Sequence, residues 1–243
     1  MLKTLGAFLL FMRGMLTRRE SFRILAQRTL DEMMLIGIDS VVIVSIVSTF
    51  IGAVTCVQIA YNFTNPLIPY SVIGFMVREM TILELAPTIT SIVLAGKVGS
   101  SIAGWLGTMR VTEQIDALEV MGINSASYLV LPRIVAAVIV FPMLVVVAMT
   151  LGIFGGYWAG TLSGAMTPDQ YIEGVRIDFV PYNIVFALIK AFVFGFLVSA
   201  IASYQGYFTR GGALEVGAAS TKAVTASVIA ILLADYLLAQ LLL

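Results

Sequence analysis

Residues 41–60 read VVIVSIVSTFIGAVTCVQIA, a run with no formal charge. A bilayer core about 30 Å thick needs roughly 20 such residues to be crossed as an α-helix. Working outward, residues 85–107 give a second span that is less apolar and rich in small side chains. That pattern extends back to Val72, because only Arg78, Glu79 and Glu84 interrupt it. Residues 129–162 are too long for one straight span. Pro142 is expected to kink this helix, or the helix projects beyond the bilayer. Residues 183–203 and 223–243 complete five spans.

The whole chain agrees with this reading. It has 243 residues, of which 60% are hydrophobic and only 12% charged. Its mean hydropathy is +1.01. Ordinary soluble domains carry about 25% charged residues. A soluble fold of this size cannot hide so much apolar surface. The expected class is an all-α integral membrane protein.

Leu2, Leu5, Leu9, Met12 and Leu16 recur at 3-4-3-4 spacing, and Arg18, Arg19, Arg23 and Arg28 follow. This predicts an N-terminal helix lying in the interface. No small-residue cleavage site follows Arg13, which argues against a signal peptide. Residues 1–33 are read as this interfacial part and 34–243 as the five-span domain. With five spans, Lys3, Arg13, Arg18, Arg19, Arg23, Arg28, Lys97, Arg110, Arg133, Arg210 and Lys222 fall on one side. The excess of basic residues places the N-terminus in the cytoplasm and the C-terminus outside. Residues 163–181 become an acidic outer loop.

Several chemistries are absent. With no His and a single Cys, Cys56, there is no Ser-His-Asp or Cys-His set, no His-ligated zinc and no internal disulfide. Neither a phosphate-binding G-x-x-x-x-G-K-[ST] loop nor a G-x-S-x-G elbow occurs. Lys+Arg and Asp+Glu both number 14, with no basic patch for nucleic acid. The chain is expected not to be an enzyme and to hold no cofactor or metal itself.

What remains is polar chemistry inside the spans, where each charge is costly and therefore informative. Lys190 and Asp235 lie at matching depths in antiparallel spans and are expected to pair. Glu84 precedes Pro87 at a predicted bend and should face a cavity or a partner. Arg78 lies nearer the outer end, and Tyr61, Asn62, Phe63 and Tyr70 stand at the outer junction as a cavity rim or an aromatic belt. Gly152, Gly156, Gly160 and Gly164, and Ala95, Gly99, Ala103 and Gly107, form small-residue stripes. Such stripes let helix backbones approach closely, within a monomer or between copies.

Residues 108–128, TMRVTEQIDALEVMGINSASY, predict a short cytoplasmic helix over 111–121. Thr112 is the expected N-cap and Gly122 the stop. Glu113, Asp116 and Glu119 make an acidic stripe; Ile115, Leu118 and Met121 make an apolar one.

With ELAP (84–87), AGKVGSSIAGWLGTMRVTEQIDALEVMGI (95–123), LPR (131–133), GGYWAG (155–160) and GYFTRGGALEVGAASTKAVTASVIAILLADY (206–236), the chain resembles MlaE-type permeases of ABC transporters. These move lipids between bacterial membranes. The resemblance implies an inner-membrane homodimer with a periplasmic C-terminus. It implies a separate ATPase that binds ATP and Mg, an accompanying STAS-domain protein, and a ring of MCE-domain proteins as the outer lipid conduit. The substrate it implies is phospholipid or a related lipid. It makes 111–121 a coupling helix, with Glu113, Gln114, Asp116, Leu118 and Glu119 receiving the ATPase's motion, and it sets Glu84 beside a lipid cavity. Leu83 stands where some members have Arg, and Ala86 where they have Gly; Arg78 is the candidate replacement cation. The rivals are an ion- or proton-coupled carrier using Glu84, Lys190 and Asp235, and a structural membrane anchor.

Overall fold

The computed structural model describes residues 2–17, 22–63 and 69–242. The chain folds as helices α1 (Leu2–Thr17), α2 (Phe22–Asn62), α3 (Ser71–Val111), α4 (Gln114–Val120) and α5 (Ser125–Leu129). After these come α6 (Leu131–Leu162), α7 (Pro168–Arg176), α8 (Tyr182–Tyr207) and α9 (Ala213–Leu242). There is no strand among the described residues. Five helical stretches are long and apolar enough to cross a membrane: α2, α3, α5–α6, α8 and α9. The chain is a multi-pass membrane protein.

α2 runs along α6 at glycine-limited distance. A Cβ on Gly52 would fall on the Gly152 carbonyl, and one on Gly155 would fall on the Thr49 carbonyl. A Cβ on Gly160 would sit 2.9 Å from Cys56 Sγ. Gly164 is not in this contact; with φ +70° it lies beyond the helix end, facing open space. The second stripe also packs within the chain. Gly99 lies beside Val198 of α8 and Gly107 beside Val216 of α9. α6 is a single helix of 32 residues with Pro142 inside it. At 1.5 Å per residue it is about 48 Å long, so it projects beyond a hydrocarbon core of about 30 Å.

The structure adds detail to three expectations. The leucine face of α1 does not all turn outward, since Met12 on it is half-buried against the core. Leu9 is 60% exposed, whereas Phe11 and Met15 are buried. Phe8 and Phe11 meet Tyr204, Tyr207 and Phe208 at the end of α8. Aromatic edges offer more contact there than the leucines do. The side chains of Leu2, Leu5 and Leu16, together with Arg18 and Arg19, lie outside the described residues. Second, no break separates an interfacial part from the first span, because α2 runs unbroken from Phe22 through residue 33 to Asn62. Third, 163–181 is not simply a loop, since it contains α7. Its start was legible: Thr167 and Gln170 form a reciprocal capping box, with Pro168 in the first turn.

Candidate functional site

α3 is not regular. It opens into π-helical turns over Thr81–Ile89 and Ala95–Gly99. The first contains Pro87, which has no N–H and whose ring displaces the carbonyl four residues back. That carbonyl belongs to Leu83, and it accepts a hydrogen bond from Lys190 Nζ at 3.1 Å. Lys190, on α8, is fully buried. Its ammonium also lies 2.7 Å from Asp235 Oδ1 of α9 and 3.0 Å from Glu84 Oε1 of α3. Its three N–H groups are thus all engaged. The Thr88 hydroxyl lies 3.0 Å from Glu84 Oε2 and 3.2 Å from Asp235 Oδ1, donating to one at a time. The Phe186 ring sits 4.7 Å from the ammonium.

Three helices therefore meet on one cation and two carboxylates. The side chain of Asp235 is 16% exposed, that of Glu84 50%. With all three groups ionised the network carries one excess negative charge, and Glu84 presents it at the surface. Such a charge in a membrane needs water or a polar partner beside it. Sequence reading paired Lys190 with Asp235 and joined Glu84 to them only in the rival carrier reading, and it missed Thr88. A signal existed, because Thr88 lies one turn beyond Glu84 on the same helix face.

Arg78 does something else. It is 1% exposed. Its Nη1 donates to the carbonyls of Val175 at 2.8 Å and Ile177 at 2.7 Å. Nη2 donates to the Asp178 carbonyl and to Glu79 Oε1, and Nε also reaches Glu79. All five guanidinium N–H groups are used. Arg78 thus caps the C-terminal end of α7, where unpaired carbonyls and the helix dipole favour a cation. It has no donor left for a headgroup beside Glu84, so it does not replace the absent arginine at position 83. Glu79 Oε2 in turn accepts from Asn183 at the start of α8. α7 is further fixed by Tyr171, whose hydroxyl donates to the Ile153 carbonyl at 2.8 Å. Burial, with a smaller contribution from nearby Cys56, pushes this phenol well above its usual range. Of the proposed rim, Tyr61 and Tyr70 are exposed and Phe63 packs under Cys56 and Val77. These residues flank 64–68, which lie outside the described residues.

At the other end of the bundle, Thr112 is not an N-cap. It closes α3, and its hydroxyl bonds back to the Thr108 carbonyl. The break falls at Glu113, at φ +60°, an uncommon conformation for a non-glycine residue. α4 ends at Gly122 (φ +79°). Gly122 N–H bonds to Glu119 O and Ile123 N–H to Leu118 O, a Schellman stop. Ile115 is buried and Leu118 half-buried, but Met121 is 66% exposed and Val120 89%. The acidic stripe divides. Glu119 accepts from Tyr207 and Ser125 at 2.9 and 2.8 Å, and so ties α4 to α8. Asp116 bridges Arg110 at 2.6 Å. Glu113 and Gln114 face outward.

A sequence model of the family described as Permease MlaE matches residues 29–241. The chain belongs to the MlaE permease family. A "Probable ABC transporter permease protein" of Rickettsia bellii (strain RML369-C) is 37% identical over 212 residues, covering 87% of this chain and 82% of the relative. A probable ABC transporter permease protein of Synechocystis is 33% identical over 234 residues, covering 96% and 86%. The Arabidopsis thaliana "Protein TRIGALACTOSYLDIACYLGLYCEROL 1, chloroplastic" is 35% identical over 223 residues, covering 88% and 61%. This MlaE permease is therefore the membrane-spanning subunit of an ABC transporter, which implies an ATPase partner. Arg78→Lys in the MlaE permease should loosen α7. Lysine supplies three donors on a point charge for five in a fork. Losing two hydrogen bonds to buried carbonyls should cost about 2 kcal/mol. Faster hydrogen exchange confined to 168–183 is the expected result.

Proposed function

We propose that this permease works as a homodimer that moves phospholipid or a related lipid, powered by ATP and Mg bound on its partner ATPase. The observation that carries the reading is the half-exposed Glu84 carboxylate on a buried charge network, next to apolar helix faces that the chain leaves open. On α9, Leu232, Leu233, Tyr236 and Leu237 around Asp235 are exposed. A second copy against these faces encloses a cavity with apolar walls for acyl chains and one acidic spot. An apolar groove of about 330 Å³ between α3, α6, α7 and α8, floored by Ile82, Met149 and Ile153, offers further room for a chain. One relative's name contains that of a galactolipid, trigalactosyldiacylglycerol, which supports a lipid cargo here too.

In this reading the permease sits in the bacterial inner membrane, N-terminus cytoplasmic and C-terminus periplasmic. α4 is the coupling helix, docking by Glu113, Gln114, Asp116 and the exposed Val120–Met121 tip. Glu119 and Leu118 hold it to the bundle, and Tyr207 passes its motion to α8, which carries Lys190. A ring of MCE-domain proteins exchanges lipid on the outer side, and a STAS-domain protein accompanies the ATPase.

Purification of the tagged protein in mild detergent, with mass spectrometry of proteins and lipids, tests this. Co-purified ATPase, MCE-domain protein and bound lipid are expected. A folded, lipid-free protein whose transport ignores ATP but follows pH would favour the carrier built on Glu84, Lys190 and Asp235. Replacing Glu113 and Asp116 by lysine should weaken ATPase docking about tenfold through like-charge contacts while sparing bound lipid. Unchanged lipid-stimulated ATP hydrolysis in that variant would remove α4 from the coupling path.

A further inference from the structure

We propose a second lipid site, in the half of the bundle nearer α4, that takes the zwitterionic headgroup of a phospholipid with its phosphate on Lys97 and its ammonium toward Asp39. It rests on the lipid-permease reading above. The site is a groove of about 230 Å³ between α2, α3 and α6. Its charged lining is balanced: Lys97 and Arg133 against Glu32 and Asp39. Arg133 and Glu32 satisfy each other at 2.9 Å, and the Arg133 guanidinium lies 3.8 Å over the Trp105 ring. That pair forms a fixed wall. Lys97 and Asp39 are only partly committed. The Lys97 ammonium donates to the Asp39 backbone carbonyl, which leaves two N–H groups. The Asp39 carboxylate is exposed and has no partner among the described residues.

Two independent features point to a ligand. Ser40 is fully buried and lines the groove, yet its hydroxyl has no hydrogen-bond partner. Thr81, Ser91, Ser127, Ser203 and Ser227 also have unmatched buried hydroxyls, and Ser40 is the one of the six that lines this groove. Lys97 also sits in the second π-helical turn of α3, a distortion found often at functional positions. Depth fits as well. Asp39 and Ser40 immediately precede the apolar run 41–60, so the groove opens where hydrocarbon gives way to headgroups. Ile36, Val98 and Ile102 line its apolar side, and Trp105 suits the interface. A zwitterion satisfies both free charges. An anionic headgroup such as phosphatidylglycerol satisfies Lys97 and leaves Asp39 facing no cation.

Trp105 is a ready reporter. Trp105 and Trp158 are the two tryptophans, so Trp158→Phe leaves one. The intact complex with its ATPase is placed in nanodiscs of equal phosphatidylethanolamine and phosphatidylglycerol. One component or the other carries brominated chains in turn. Quenching of Trp105 should show about threefold to fivefold enrichment of phosphatidylethanolamine, the scale of one or two partly exposed ion pairs. Asp39→Asn should bring that ratio close to one, whereas Lys97→Gln, which removes the phosphate contact both lipids share, should lower quenching by both. Equal quenching, a preference for phosphatidylglycerol, or a preference that survives Asp39→Asn overturns the proposal. Asp39 is exposed, so that variant serves even if Lys97→Gln misfolds. ATP-driven lipid transfer is measured on the same nanodiscs. Transfer without the preference sinks the groove alone; the preference without transfer sinks the lipid-permease reading and keeps the groove.

Discussion

Lys190→Met is expected to lower stability by about 3 kcal/mol and to stop transport. Removing the cation leaves Glu84 and Asp235 facing each other with no counter-charge, and returns the Leu83 carbonyl to its unpaired state. Breaking a buried ion pair from one side costs about 3–5 kcal/mol. The lower figure applies here, because Glu84 is half exposed and can draw on water. The partial rescue is the diagnostic result. Lys190→Met with Asp235→Leu should be more stable than Lys190→Met alone, since it removes one orphaned charge and fills its space with methyl groups. Thermal unfolding in detergent measures both. Additive losses in the double variant would mean that the two side chains do not act as a pair.

Gly155→Val is expected to abolish folding. A Cβ at Gly155 falls on the Thr49 carbonyl of α2, a backbone atom that no rotamer change can move aside. Valine then separates α2 from α6 along their shared length. Overpacking with backbone shift costs about 1–3 kcal/mol, and here it also opens the Gly52–Gly152 contact, so a loss above 4 kcal/mol is expected. The control is Gly96→Ala. It lies beside the α3 stripe, but nothing stands within 4 Å of its Cβ position. Alanine there should be neutral or gain up to about 1 kcal/mol from helix propensity. Size-exclusion profiles and melting curves of the two variants, run together, decide whether the glycines act through close approach. Equal behaviour would refute that.

The spans could be read from sequence because lipid imposes a requirement that each segment meets alone: about 20 apolar residues. Side-chain meetings carry no such local mark. Counting from span ends set Lys190 and Asp235 at one level, and the structure holds them 2.7 Å apart. No such count was open to Glu84, because α3 runs over Ser71–Val111, longer than a bilayer span, and has no sharp end to count from; the partner expected for it is Lys190. The part Arg78 plays in holding α7 was hidden for a related reason, although it does line the apolar groove beside α6. Its partners are backbone carbonyls about 100 residues away, on a helix taken for a loop. The N-cap at Thr112 was overridden by geometry: the chain turns through a positive φ at Glu113, and Thr112 belongs to the helix it closes. On α1, spacing identified an apolar helix but not that Phe8 and Phe11 would meet the aromatic end of α8.

The meeting of Leu83 and Lys190 also sets a timetable for synthesis. The two are 107 residues apart. At about 5–20 residues per second, the lysine leaves the ribosome roughly 5–20 s after the proline-freed carbonyl has entered the insertion machinery. For that interval α3 carries an unmatched acceptor and an uncompensated carboxylate, and cannot settle alone in lipid. Asp235 arrives later still, one helix after Lys190. A chain stalled between α3 and α8 therefore carries an acid inside the membrane whose partner lysine has not yet been made.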